Sequence, residues 1–417
     1  MPTRTDPTPT AHRAVHSSPL PGWLAVVSVA MGIFVIVTAE ILPIGLLTSI
    51  GSTFGVSDGI AGLTMTMPGV LAAVSAPTVT VAVGRLDRRM LLCGLILLLA
   101  AANIIAAAAT SYPVLMASRA LVGIVIGGFW SIGAGLAPRL VRPERVGVAT
   151  AVIFSAVPLG SVFGVPAGTF IAQFGGWRTA FIVLGALTVV VLLALVAVLP
   201  PLPAAQPVRL AALVDLVRGR TGRTALILTV LIVTAHFGTY TYVSPFLQHV
   251  TGVGSVTPFL LVYGIAGVLG NFVAGTTVRL RLRATLIASA VALASATGLL
   301  PMLGTATIGA VVLLAVWGVA YGAVPVCSQS WFAASGTGPT EAASVLFTSS
   351  FQATIALGAL LGGVVVDATS PSMLMVIGSG IALLVALLAA RPTGLPRPVR
   401  QSPPVAGDAG RPTEASM

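Results

Sequence analysis

Apolar residues run in long blocks along this chain, separated by short polar breaks. A helix that crosses the hydrocarbon layer of a membrane needs about 20 mostly apolar residues. Twelve such blocks can be placed, at roughly 22–47, 59–83, 90–110, 112–137, 148–173, 177–199, 223–248, 256–278, 284–303, 306–333, 341–367 and 371–390. No alternating strand pattern competes with them. The pattern predicts an all-α polytopic membrane protein with twelve transmembrane helices, six in residues 22–199 and six in residues 223–390. Around them lie a polar N-terminal tail (1–21), a central linker (200–222) and a Pro-rich tail (391–417). The first twenty residues are polar and Pro-rich, so no cleavable signal is expected. Within the linker, Leu210, Leu213, Val214 and Val217 fall at helical spacing beside Asp215, Arg218 and Arg220. That segment reads either as an amphipathic helix on the membrane surface or as a solvated connector.

The two sets of six resemble one another. Ile36-Val37-Thr38-Ala39-Glu40 in the first span matches Ile232-Val233-Thr234-Ala235-His236 in the seventh, 196 positions on. Pro143 falls at the same offset from Pro339, with Glu144 and Glu341 close by, and Gly160 and Gly164 correspond roughly to Gly358 and Gly362. A shared offset points to a six-plus-six repeat, the plan of two pseudo-symmetric bundles that recurs in secondary transporters.

Composition narrows the class. Hydrophobic residues make up 56% of the 417 and charged residues only 7%, where soluble domains carry about 25%. This excludes an ordinary cytosolic enzyme and a disordered chain. The net charge of +11 comes from arginine alone, since there is no lysine. With both termini on one side, 19 of the 21 arginines fall on that side, the exceptions being Arg119 and Arg178. Positive charge marks the cytoplasmic face, so both termini are expected there, in a cell membrane. The basic charge thus reports topology and not a nucleic-acid partner. Two cysteines and four histidines, scattered, give no disulfide framework and no metal cluster. A nucleotide-binding Gly-rich loop ending in lysine is ruled out by the absence of lysine. No cofactor is expected, and energy should come from an ion gradient.

Charges inside spans are costly and mark candidate function. Glu40 lies roughly 8 Å beyond the midplane of the first span, and Arg119 lies at the same depth in the fourth, counting ~1.5 Å per residue. The two are expected to pair if their spans face each other. A carboxyl group away from water binds a proton more readily and a guanidinium opposes this. An arginine whose access to Glu40 changed with conformation would therefore couple proton entry to solute exit; the alternative is a permanent structural ion pair. His236 holds the position of Glu40 in the second set, and reads as a proton carrier, a neutral hydrogen-bonding group or a solute contact. In the fifth span Gly160, Gly164 and Gly168, with Pro166 among them, let helices approach closely and bend. Between spans two and three, Gly84-Arg85-Leu86-Asp87-Arg88-Arg89 offers Asp87 as a helix cap and a partner for a neighbouring arginine.

These features, with Arg119-Ala120-Leu121-Val122-Gly123 and Gly176-Trp177-Arg178, resemble the major facilitator superfamily, and within it the drug/proton antiporters with twelve spans. Gly84, Asp87, Arg88 and Arg89 are similar to the family's inner-loop motif, in a shortened form whose second copy, near Gly275 to Arg283, has no acid. Gly160, Gly164, Pro166 and Gly168 are similar to its antiporter motif. Glu40-Ile41-Leu42-Pro43, Gly127-Gly128-Phe129-Trp130-Ser131, Tyr242-Val243-Ser244-Pro245, Trp317-Gly318 and Val324-Pro325-Val326 resemble bacterial purine-ribonucleoside efflux pumps and the related sugar-efflux branch. The resemblance implies proton-driven export of a small polar or amphipathic solute by a monomer. It also implies that Phe129, Trp130, Tyr240, Trp317, Tyr321 and Gln329 contact that solute. Rivals are a multidrug exporter, an importer on the same fold, and a membrane sensor or membrane enzyme. The enzyme would need a catalytic constellation inside the spans, and the sensor a sizeable soluble output region.

Overall fold

The computed structural model describes residues 19–82, 86–133, 136–203, 219–334 and 340–391. Gly84, the amphipathic stretch at 210–217, Pro339 and the tail residues 1–18 and 392–417 lie outside the described residues. The chain is helical: α1 (Pro19–Phe54), α2 (Asp58–Ala61), α3 (Leu63–Ala82), α4 (Arg88–Ala107), α5 (Tyr112–Gly133), α6 (Ala137–Leu140), α7 (Val146–Val198), α8 (Arg220–Tyr240), α9 (Val243–His249), α10 (Thr257–Leu303), α11 (Thr307–Gly322), α12 (Val324–Ala333), α13 (Thr340–Ala368) and α14 (Pro371–Ala390). Among the described residues, eleven helical segments are long and apolar enough to cross a membrane. Large apolar side chains such as Phe174, Phe272, Leu280 and Ile308 stand exposed on their outer faces, as a lipid-facing surface requires.

Two helices run longer than the sequence blocks suggest. α7 has 53 residues, about 80 Å at ~1.5 Å per residue, far beyond one ~30 Å crossing. It breaks at Gly176, whose φ of 76° lies in the left-handed region that glycine adopts without steric cost. α10 breaks at Arg281. Conversely, the seventh block is split between α8 and α9 at Thr241 and Tyr242, and the tenth between α11 and α12 at Ala323.

Glycines set the closest helix contacts. On the first arm of α7, a Cβ at Gly160 would fall 3.1 Å from Val37 of α1, and one at Gly164 would fall 2.6 Å from Thr38; Gly168 lies against Leu42. Pro166 is buried in the same face. Gly358 and Gly362 of α13 approach the backbone of α8 in the same manner, at Thr234 and Gly238. The two glycine pairs related in the sequence thus each line a close helix crossing, one on α1 and one on α8.

Contacts define two ends. At the linker end, Asp87 caps α4 by accepting from Arg89 N at 2.7 Å, and also accepts from Leu202 N at 3.0 Å. Arg89 donates to the Val196 carbonyl (2.6 Å) and Arg139 to that of Pro203 (2.6 Å). The expected pairing of Asp87 with a neighbouring arginine is replaced by these backbone bonds, because the last carbonyls of α7 have no helical donor left. Arg88 is buried beside them. At the far end, Phe54, Tyr112 and Trp177 pack together and Arg178 stands 4.4 Å over the Trp177 ring.

Candidate functional site

Arg119 sits 1% exposed in α5, and its charge is held by backbone. Nη1 donates to the Ala39 carbonyl (2.8 Å), Nη2 to the Glu40 carbonyl (3.0 Å) and Nε to the Thr64 carbonyl (3.0 Å). Two of these acceptors are free for a reason written in the sequence. The carbonyl of residue i in an α-helix takes the N–H of residue i+4, and proline has none. Pro43 follows Ala39 by four positions in α1, and Pro68 follows Thr64 by four in α3. The arginine replaces the two missing donors with charge-assisted bonds.

This corrects the expected pairing of Arg119 with Glu40. The side chains are neighbours and interact electrostatically. Yet no contact within 4.0 Å joins carboxylate and guanidinium; among the described residues the ion pair that meets this limit is His249–Asp58, at 4.0 Å. The guanidinium is anchored on three carbonyls, and the Glu40 carboxyl is bonded elsewhere. Its Oε1 accepts from Gln352 Nε2 of α13 at 2.8 Å, and both side chains are buried.

His236 lies 1% exposed in α8 among aromatic rings from α8, α10 and α11. Tyr321 and Tyr240 stack on its imidazole, with 10° and 19° between planes, and Tyr263 stacks on Tyr240 at 4.4 Å. Trp317 meets His236, Tyr240 and Tyr263 edge-on at 5.8–6.0 Å. Trp317 Nε1 lies 3.0 Å from His236 Nδ1. An indole N–H can only donate, so Nδ1 carries the lone pair and the ring proton sits on Nε2, 3.4 Å from the Tyr263 hydroxyl. The histidine is therefore held as a neutral, hydrogen-bonded ring in this conformation.

Of the residues expected to contact a solute, the structure brings Tyr240, Trp317 and Tyr321 together around His236. It places the others elsewhere. Phe129 is buried against Gly32 of α1, inside the packing of the first helices. Trp130 pairs with Phe154 at 6.3 Å. Gln329 is exposed on α12, eight residues or about 12 Å of helix beyond Tyr321. Tyr263 and Gln352 were not singled out by the sequence reading. A polar residue inside an apolar block is the signal that could have found them.

Residues on either side of the linker are joined toward the far end. Asp367 of α13 accepts from Ser57 Oγ (2.6 Å) and Gly59 N (2.9 Å), which start α2. Ser244 donates to the Ile44 carbonyl (2.8 Å), and Gln173 to Ser255 (2.8 Å) and Thr257 (3.2 Å). Asp367 is the last residue of the eleventh apolar block.

Comparison with known proteins fits this architecture. The chain is 33% identical over 372 residues, 88% of its length and 92% of the relative's, to a protein named transcription regulatory protein OpdE in Pseudomonas aeruginosa. It is 29% identical over 375 residues, covering 89% of this chain and 94% of the relative, to the purine ribonucleoside efflux pump NepI of Salmonella paratyphi B. Among solved structures, a bacterial homologue of the human lysosomal transporter Spinster, inward-facing and unoccupied, superposes with a TM-score of 0.68 at 18% identity, covering 89% of this chain and 97% of that one. The sequence profile of the Major Facilitator Superfamily matches residues 23–346. The chain belongs to that superfamily, as a multi-pass membrane protein and secondary transporter.

Proposed function

We propose that this transporter exports a small neutral solute with a planar ring, a purine nucleoside or a close analogue, in exchange for protons. In this reading the breaks at Gly176 and Arg281 turn the chain, giving twelve crossings in two six-helix bundles with both termini cytoplasmic. The single chain works by alternating access. The observation that carries the reading is Glu40: a buried carboxyl group, its arginine neighbour occupied by backbone, touched from across the molecule by Gln352. A group so placed can exchange a proton without dismantling an ion pair. The neutral stack around His236 offers π-faces of matching size and no charge, which suits a nucleobase. The names of the NepI relatives support the same solute class. With the far end outermost, the joined state is the one open to the cytoplasm.

Everted vesicles with an acidified interior test this, with inosine as the probe. Inosine should accumulate and an uncoupler should abolish the accumulation. Glu40→Gln should lower uphill accumulation by at least ~10-fold while the protein stays in the membrane. Accumulation by Glu40→Gln at the normal rate would remove Glu40 from the coupling. A second reading, a membrane-embedded regulator, rests on the name of the Pseudomonas relative. No inosine or other solute movement in vesicles, together with altered transcription on deletion, would favour it.

A further inference from the structure

We propose that Gln352 is a positioning residue that holds the empty, deprotonated carrier closed at its far end and so keeps protons from passing without solute. The inference rests on the proton-coupled reading above.

Glu40 belongs to α1 and Gln352 to α13, 312 positions apart, on opposite sides of the seam between the two bundles. The seam is tight beside them. A Cβ at Gly69 of α3 would fall 2.8 Å from the Gln352 carbonyl, and Asp367, four turns along α13, grips Ser57 and Gly59. Opening the far end must part α1 from α13, and with them the Gln352–Glu40 hydrogen bond.

The cost of parting depends on the proton. An amide N–H bound to a carboxylate makes a charge-assisted bond, roughly twice as strong as one to a neutral acid. Arg119 makes no hydrogen bond to the carboxylate in this structure: three of its five N–H groups anchor the guanidinium on the carbonyls of Ala39, Glu40 and Thr64. Separation with Glu40 ionised therefore takes from a buried carboxylate the hydrogen bond it makes in the joined state, whereas a protonated Glu40 loses a weaker bond. The titratable groups that act on Glu40 are Arg119 of α5 and Tyr321 of α11. The charged residues on other helices packed against α1 lie near helix ends, as do Asp58 of α2, Arg88 and Arg89 of α4, Arg139 of α6 and His249 of α9, or beside the break in α7, as does Arg178. Among the described residues, Gln352 is the second-bundle side chain hydrogen-bonded to the Glu40 carboxyl.

The consequence for exchange is direct. After the proton leaves toward the cytoplasm, the ionised and empty carrier is tied shut. A solute hydroxyl or amine that donates to Glu40 in place of Gln352 releases the tie, and the loaded carrier opens outward. Without the amide, the empty carrier would also open, take up another proton and return, so that protons flow with no solute.

The test needs no solute. The full chain is reconstituted in proteoliposomes with a pH dye inside, the membrane potential clamped and a pH gradient imposed. The expected result for Gln352→Leu is proton entry at least ~10-fold faster than wild type, the factor that loss of about 1.4 kcal/mol gives. The double variant Glu40→Gln/Gln352→Leu should be as tight as wild type. Gln352→Met, close in volume and lacking the donor, stands in if the leucine variant does not reconstitute. Proton entry at the wild-type rate in a monodisperse Gln352 variant overturns the proposal, as does a leak that persists in the double variant. The two readings fail separately. A Glu40-dependent leak in a protein that never couples protons to inosine sinks the solute assignment and leaves the tie standing. Tight inosine coupling with no leak in the variants sinks the tie alone.

Discussion

Glu40 and His236 stand 196 positions apart, at matching places in the two copies of the repeat, and the molecule surrounds them with opposite chemistry. Around Glu40 there is charge, and it is managed by backbone: Arg119 fills the hydrogen-bonding gaps that Pro43 and Pro68 leave in α1 and α3. Around His236, among the described residues, the ring contacts are made by uncharged aromatic side chains. Three tyrosines and Trp317 enclose a ring whose Nδ1 already accepts a proton donor. In the proposed function, matching positions 196 residues apart serve different ends, one a proton and the other a flat solute. The lesson for reading such chains is that an intramembrane arginine beside an acid is not by itself an ion pair. The number of free carbonyls within its reach decides where the guanidinium goes.

The largest expected effect lies on the Glu40 side. Arg119→Leu should lower thermal stability in detergent strongly, since two orphaned carbonyls each cost about 1–3 kcal/mol when buried without a donor. Arg119→Lys should recover little, because an ammonium cannot reproduce a planar fork reaching three acceptors. The decisive measurement is a cycle with Pro43→Ala and Pro68→Ala, which restore the backbone donors. In that background the loss caused by Arg119→Leu should shrink by roughly 1–3 kcal/mol. Strictly additive effects would show that the arginine is there for Glu40 and not for the helices.

An intermediate effect is expected on the His236 side. Trp317→Phe keeps an aromatic ring at the edge of the stack and removes the N–H that occupies Nδ1. The lone pair on Nδ1 is then buried without a donor, which costs about 1–3 kcal/mol. Thermal stability in detergent should fall by that order, and inosine affinity should weaken with it, because the imidazole loses the bond that fixes its orientation in the stack. Wild-type stability and affinity in the variant would mean that the indole N–H does not hold His236.

Much of the fold was legible because burial in lipid imposes a strong period: blocks of about 20 apolar residues, arginines on one side, glycines at four-residue spacing. The helix breaks at Gly176 and Arg281 could be inferred from block spacing, while the split at Tyr242 has a single local signal, Pro245, which removes the donor that the Thr241 carbonyl would take. In the site, Glu40, Arg119 and His236 stood out as polar groups in apolar runs. Their partners did not. Gln352 is neutral, Tyr263 reads as one more aromatic in a span, and the role of Pro43 and Pro68 appears only when the carbonyl four residues earlier is asked where its donor is. Contacts between distant helices leave no periodic trace, so which polar group meets which had to come from the structure.

The smallest expected effect concerns Gln329, where resemblance and geometry part company. The resemblance gives it a solute contact along with Tyr240, Trp317 and Tyr321. The structure leaves it exposed on α12, outside the stack that gathers the other three. A substitution at an exposed site away from buried partners changes stability by less than about 0.5 kcal/mol. Gln329→Ala should therefore keep both thermal stability and inosine transport within about two-fold of wild type, a factor that ~0.4 kcal/mol spans. Tyr240→Ala, which opens the stack beside His236, should weaken inosine binding far more, by the ~1–3 kcal/mol that one base–aromatic stack contributes. If the order is reversed, the solute path runs along α12, and the second copy of the repeat is not the ring-binding half.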